Sequence, residues 1–198
     1  IFINIVKTYT NVFKAFTDAA FQVGSIITTT GYSTTDFDLW PGTSKTILVM
    51  LMFVGACAGS TGGGIKVSRF LIMFKTVVKE LRSYIHPKSI QKIKMDDKPV
   101  PHEVVRSVNV YGITFITIFA ASIFLLSLDG KDLITNFTAV ATTLNNIGPG
   151  LNLVGPTRNF DLFSPFAKFV LMFDMLAGRL ELFPLLILFH PTIWKEHK

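Results

Sequence analysis

The sequence predicts an all-α integral membrane fold in which a helix–loop–helix unit repeats. Three observations predict it. Hydrophobic residues make up 49% of the 198 positions and charged residues only 16%, against about 25% in an ordinary soluble domain. Three stretches stay apolar for the roughly 20 residues that a bilayer crossing takes. The two halves of the chain also align with each other. The first residue is Ile1, with no basic leader and cleavage site ahead of it, so the sequence reads as a piece of a longer protein. A single cysteine, Cys57, excludes an internal disulfide framework and a cysteine-based metal cluster.

Taken in order, Phe13 to Ile27 is apolar but too short to cross, about 20 Å as helix. It runs into TTTGYSTTD, which is polar and carries a glycine. The first long segment, Thr46 to Tyr84, is interrupted by VGACAGSTGGGIKV at 54–67. A polar, proline-punctuated linker follows, HPKSIQKIKMDDKPVPHE. A basic block from Lys66 to Arg106 includes Lys75, Lys79, Arg82, Lys88 and Lys92, against only Glu80, Asp96, Asp97 and Glu103. Between apolar segments it reads as a cytoplasmic loop under the positive-inside bias, with the lipid bilayer as neighbour and no nucleic acid as partner.

Val104 to Leu128 is the second long segment. Asp132 to Leu144 is again short, with Asp129 or Asp132 as its N-cap, and it leads into NNIGPGLN. The third long segment, Leu162 to Phe189, is apolar except for Lys168 near its start and Asp174, Arg179 and Glu181 within. Residues 1–85 are therefore assigned to one unit, 86–103 to the linker and 104–198 to a second unit. The linker and the WKEHK tail lie inside, and 36–45 and 128–161 outside.

The repeat is explicit. FDLWPGTSKTILVMLMFVG (37–55) aligns without gaps on FDLFSPFAKFVLMFDMLAG (160–178). Lys45 meets Lys168, Leu48 meets Leu171, Met52 meets Met175 and Gly55 meets Gly178; upstream, Gly31 corresponds to Gly148. Each unit is a short helix, a loop, FDL and a long helix. Membrane transport proteins are often built from such repeats around a central site. Irregular backbone at membrane depth is tolerated only where it is buried in protein or lines water. The short helices are accordingly read as re-entrant pore helices, and the fold as repeated helix–pore-loop–helix units.

Thr29-Thr30-Gly31-Tyr32-Ser33 matches, at the Thr, the Gly and the Tyr, the TVGYG loop whose carbonyls replace an ion's water shell in potassium channels. Asn146-Ile147-Gly148-Pro149-Gly150 keeps an apolar second position and both glycines. The arrangement is thus potassium-channel-like, with backbone carbonyls of Thr29, Thr30, Gly31 and Tyr32 and of Asn146, Ile147, Gly148 and Pro149 as filter groups for K⁺. Glycine lets successive carbonyls share one axis because it enters φ > 0. The pore helices would aim their partly negative C-terminal ends at the cavity and favour a cation. The alternative is a pair of glycine-rich extracellular turns.

With these residues in view, the sequence resembles the Trk/Ktr/HKT superfamily of potassium transporters, most of all its bacterial Trk/Ktr branch. TTTGYSTTDF, AGSTGGGIKV, NNIGPGL and GRLE carry the resemblance, which covers nearly the whole chain. It implies potassium uptake across the cytoplasmic membrane through one filter formed by four repeats, of which this chain would hold the third and fourth. Half a filter cannot encircle an ion, so this piece alone is not expected to conduct. The resemblance further implies a homodimer gated by a cytoplasmic ring of nucleotide-binding regulatory subunits, K⁺ as the transported ion and no bound cofactor.

Arg179 lies in the third span, where a charge is expensive, and neither Asp174 nor Glu181 is an i±3 or i±4 partner. It pairs with a neighbouring helix or, as the resemblance implies, faces the pore below the filter. Asp174 and Glu181 share a face, serving helix packing or ion relay alike. The segment Gly59, Ser60, Thr61, Gly62, Gly63 and Gly64 is either a passive kink or a gate that must move, with Lys66 and Arg69 at its cytoplasmic exit. By the repeat alignment it begins where the fourth repeat carries Arg179 and continues as helix. It is not a phosphate loop: Ile65 stands at the lysine position, Lys66 comes one residue late and Val67 replaces the Mg²⁺-binding hydroxyl. An enzyme is therefore not expected. A Na⁺-coupled or other ion transporter with broken helices around a midplane site is the other reading, and a purely structural membrane subunit a third. His86, His102, His190 and His197 have no metal-ligand spacing.

Overall fold

The computed structural model describes residues 1–55, 57, 59–60, 62–86, 92–180 and 182–188. Expectations that rest on Thr61, Lys88, Glu181, His190, His197 and the WKEHK tail lie outside the described residues.

A short helix α1 (Phe2–Ile5) and a 3-10 turn lead into α2 (Val12–Ile27). The second helix starts at Asn11 because its side-chain oxygen accepts the Phe13 N–H at 2.9 Å, satisfying an orphan donor of the first turn. After a 3-10 turn at Phe37–Leu39 come α3 (Gly42–Phe53) and, beyond the glycine segment, α4 (Val67–Ile85). A hairpin of β1 (Lys94–Met95) and β2 (Lys98–Pro99) then sets Lys94 opposite Pro99 and Met95 opposite Lys98. Asp96 and Asp97 both take positive φ, 48° and 61°, as a two-residue hairpin turn of the I′ kind requires. This hairpin is the only sheet among the described residues, a small departure from the all-α expectation.

Next come α5 (His102–Ser127), α6 (Leu133–Leu144), 3-10 turns at Asn152–Val154 and Phe160–Leu162, α7 (Pro165–Arg179) and α8 (Phe183–Leu188). Of the described helices, α5 alone is long and apolar enough to cross a membrane by itself. The α6 N-cap is Asp132, whose carboxylate accepts the Thr135 N–H at 3.0 Å. Asp129 instead accepts the Ser164 N–H and hydroxyl at 2.8 and 2.7 Å, tying the end of α5 to the start of α7.

The repeat is visible atom by atom. Both FDL triplets form 3-10 turns, capped by Asp36 and Asn159, which accept the N–H of Asp38 and Asp161, each at 3.1 Å. The aspartate of each triplet pairs with the lysine seven residues on: Lys45 Nζ lies 3.6 Å from Asp38 and Lys168 Nζ 2.7 Å from Asp161. That pairing explains why the lysine recurs in an otherwise apolar helix. Such exposed pairs contribute little stability, at most about 1 kcal/mol, so their value lies in setting the turn.

One expected span is not continuous. The Leu162–Phe189 segment stops as helix at Arg179, with Leu180 as its C-cap. Leu182 takes φ 60° and donates its N–H back to Ala177 O at 2.9 Å. The cause is Pro184, the second residue of α8. In an unbroken helix its ring would clash with the carbonyl four residues earlier, whereas near a helix start its missing N–H costs nothing. The second repeat of this chain therefore also breaks its long helix, contrary to the expectation that it runs on past Arg179.

Packing joins the two repeats rather than separating them. Ile147 and Leu151, from the second loop, sit in a core with Ile26, Phe37, Leu48 and Met52 of the first repeat. Phe137 of α6 and Phe53 of α3 meet edge-on at Phe119 of α5, with ring centroids 5.1 and 5.4 Å away. Asp174, fully buried, accepts the Ser122 hydroxyl at 2.7 Å and so bonds α7 to α5. It aligns with Leu51, so the bond belongs to the second repeat alone.

The Ser164 amide, then its hydroxyl, hold the Asp129 carboxyl below its ordinary value of 3.8; the Thr135 hydroxyl is the main cause holding Asp132 below the same value. A depressed folded value means the contribution is present above about pH 4 and lost as pH falls through the folded value. Thermal unfolding of the detergent-solubilised protein is expected to shift to lower temperature as pH falls below about 4. Asp129→Asn should shrink that acid-side drop.

Candidate functional site

The two short helices end identically. Thr29 takes φ 54°; its N–H donates to Ile26 O at 3.1 Å, and Thr30 N–H reaches back to Ser25 O at 2.9 Å. Asn146 takes φ 55°; its N–H donates to Thr143 O at 3.0 Å, and Ile147 N–H reaches Thr142 O at 2.8 Å. This is the Schellman arrangement, which satisfies late carbonyls and turns the chain out of the helix. Asparagine tolerates the left-handed region, but a β-branched threonine there is strained, by about 1–3 kcal/mol when neighbours hold it. The neighbour is the glycine segment: Gly63 N–H donates to Thr29 Oγ1 at 3.2 Å. Asn146 is held in turn by α7, its Nδ2 donating to Met175 O at 3.1 Å.

The loops converge. Thr29, Thr30, Asn146, Ile147 and Gly148 line one cavity of about 540 Å³, together with Thr142, Thr143 and Met175. Gly31, Tyr32 and Pro149 are not on its wall. Gly31 (φ 81°) packs so tightly on the Ile147 carbonyl that a Cβ would overlap it. The Tyr32 carbonyl accepts the Ser25 hydroxyl at 2.6 Å, a bond from the helix that leads into its own loop. Thr142 and Thr143 were missed in the sequence. Their hydroxyls bond back to Thr138 O and Ala139 O at 2.9 and 2.8 Å, which keeps a polar helix end self-satisfied. The pair of threonines just ahead of the asparagines was the available signal.

Beneath lies the glycine segment. Val54 and Ile65 bridge its neck in parallel, and Gly55 N–H donates to Ile65 O at 2.9 Å. A Cβ on Gly55 would come within 2.5 Å of Gly63 O, so the neck closes only on bare backbone. Gly59 and Gly64 take φ 82° and 75°. Lys66, expected at a cytoplasmic exit, is instead 7% exposed. Its ammonium folds back onto Ser60 O and Gly62 O, 2.6 Å from each. Its four-carbon stem lets the buried lysine reach both carbonyls. Arg69 stacks on Tyr111, 4.3 Å from the ring centroid.

Ser60, Gly62, Gly64 and Lys66 line a smaller cavity of about 250 Å³ with Gly178 and Arg179. Arg179 thus faces the glycine segment across a shared space. Gly63 points the other way, where a Cβ would overlap the Asn145 carbonyl, and Gly178 packs equally tightly on the Leu144 carbonyl. Among the described residues, no cluster of His, Cys, Asp or Glu is placed to hold a metal ion.

Capped pore helices, paired loops and a glycine-closed segment beneath them define a membrane protein built on pore-loop repeats. A family model described as TrkH, cation transport protein, matches residues 4–196, and the chain belongs to that family. It is 39% identical over 190 residues to the Trk system potassium uptake protein TrkH of Escherichia coli K12, covering 96% of this chain and 39% of that protein. It is 34% identical over 184 residues to TrkG of the same strain, covering 92% and 37%. The crystal structure of the potassium transporter TrkH from Vibrio parahaemolyticus superposes with a TM-score of 0.88 at 41% identity, over 98% of this chain and 41% of that one. The chain thus spans about two fifths of the length of these relatives. Members of the family are cation transporters and not enzymes.

Gly178→Ala is expected to destabilise the protein by about 1–3 kcal/mol, the range for overpacking a close contact, read as a lower melting temperature. Gly24→Ala, with no atom within 4 Å of its Cβ position, should be neutral or slightly stabilising.

Proposed function

We propose that this chain supplies two of four pore-loop repeats of a potassium uptake protein in the cytoplasmic membrane. The observation that carries the reading is the convergence of two identically capped loops on one cavity. Relatives named as Trk potassium uptake proteins support K⁺ as the ion. Carbonyls of Thr29, Thr30, Asn146, Ile147 and Gly148 replace part of the ion's water shell, and the C-terminal ends of α2 and α6 favour positive charge at the cavity. Gly31 keeps the two loops in contact and so sets the spacing of their oxygens. Two further repeats complete the ring, two copies of the complete protein pair, and a nucleotide-binding cytoplasmic subunit regulates them.

The glycine segment acts as the gate. It lies against the end of α6, is hydrogen-bonded to Thr29 and is pinned by the Lys66 ammonium. An ion leaving the filter meets this backbone with Arg179 beside it, and a fixed positive charge raises the barrier to a cation. Opening breaks the two Lys66 hydrogen bonds, each worth about 1.5–3 kcal/mol where a charge is involved.

In the complete protein, Gly31→Ser should lower K⁺-over-Na⁺ discrimination in Rb⁺ and Na⁺ flux assays, because the Ile147 carbonyl must move aside; unchanged discrimination would remove Gly31 from the filter. Lys66→Met and Arg179→Gln should each raise K⁺ flux several-fold while leaving ion preference unaltered. A well-expressed Lys66→Met protein with unchanged flux would sink the gate assignment.

A further inference from the structure

The structure also carries a cavity that ion conduction does not use. It opens beside the basic linker, has a volume of about 780 Å³, and is walled by α4, the β1–β2 hairpin and the first turns of α5. We propose that it holds the headgroup of an anionic glycerophospholipid.

Three features fit that ligand. The first is charge: Lys79, Lys92, His102 and Arg106 line the cavity against a single carboxylate, Glu80. A phosphodiester brings the complementary charge, and basic pockets between membrane helices on the cytoplasmic side suit such headgroups. The second is depth. The cavity sits at the N-terminal end of α5, the described helix fit to cross the bilayer, so its mouth falls where headgroups lie. From there the wall climbs α5 through Val110 and Ile113, 45% and 68% exposed, leaving an apolar path along which acyl chains can lie. The third is construction. Lys75 Nζ donates to Lys94 O at 2.6 Å, and Val100 N–H donates to Ile93 O at 2.8 Å. The first bond ties the hairpin to α4 and the second closes the base of the hairpin, with buried Ile93 as a wall. The basic groups are therefore held around a preformed hollow rather than scattered on a free loop.

The site requires membrane location but no particular ion, so lipid retention and K⁺ flux fail or succeed independently. The test is native mass spectrometry of the complete protein released from bilayers of equal phosphatidylglycerol and phosphatidylcholine. The wild type is expected to retain phosphatidylglycerol preferentially. Each of Lys79→Gln and Arg106→Gln should cut that preference about fivefold, the effect of one basic residue near an anionic surface. Lys131→Gln with Arg158→Gln, on the opposite side of the membrane, should leave it intact. Matched melting temperatures would show that the variants fold. No phosphatidylglycerol preference in the wild type, or one that survives the Lys79→Gln/Arg106→Gln pair, overturns the proposal. So does loss of a bound cytoplasmic protein from that pair with lipid retention unchanged.

Discussion

Three backbone carbonyls at the end of α6 each press against a glycine from a different part of the chain, and the rest of the site depends on these contacts. Leu144 O meets Gly178 of α7, Asn145 O meets Gly63 of the glycine segment, and Ile147 O meets Gly31 of the first loop. At none of the three is there room for a methyl group. Carbonyl oxygens brought this close to Cα exclude water and side chains alike, so the second pore helix, the glycine segment and the first loop pack as one body. Interiors of this density transmit displacement instead of absorbing it.

That packing puts the first loop and the glycine segment in direct contact, without an intervening element. The Gly63 amide reaches the hydroxyl of Thr29, the very residue whose left-handed backbone ends the first pore helix. The Asn146 amide performs the corresponding task against α7. Each loop is therefore steered by the residue that caps its helix, one by a hydroxyl acceptor and one by an amide donor. The electrostatics run in opposite senses along the same path. Two helix C-termini and their loop carbonyls lie above, and the Lys66 ammonium and Arg179 lie below.

The two repeats are alike in their turns and unlike where function is concentrated. FDL turns, lysine–aspartate pairs and Schellman ends recur almost atom for atom. Below Gly55 and Gly178 the symmetry fails. One repeat spends a glycine-rich segment closed by Lys66, while the other breaks more briefly at Pro184. Asp174, paired with Ser122 inside the helix bundle, has no counterpart in the first repeat. The duplication thus keeps its scaffold and diverges beneath its loops.

Much of this was legible in the residues themselves. The α5 span, the short pore helices, the paired loops and the repeat register follow from hydrophobic run length and from local motifs, which need no partner elsewhere in the chain. The glycines in the left-handed region, Gly31 and Gly148, were readable for the same reason. Three features were decided only by tertiary structure. Lys66 looks like an interfacial cation in a basic stretch, and only the fold brings it back onto Ser60 and Gly62. Tyr32 matches a filter motif, yet Ser25, seven residues away on the pore helix, claims its carbonyl. Thr142 and Thr143 join the cavity because the end of α6 is pressed between three glycines. Hydrophobic pattern and turn chemistry are local and so written in order along the chain. The direction in which a carbonyl or an ammonium finally points depends on what packs against it, and that is settled only when distant segments meet.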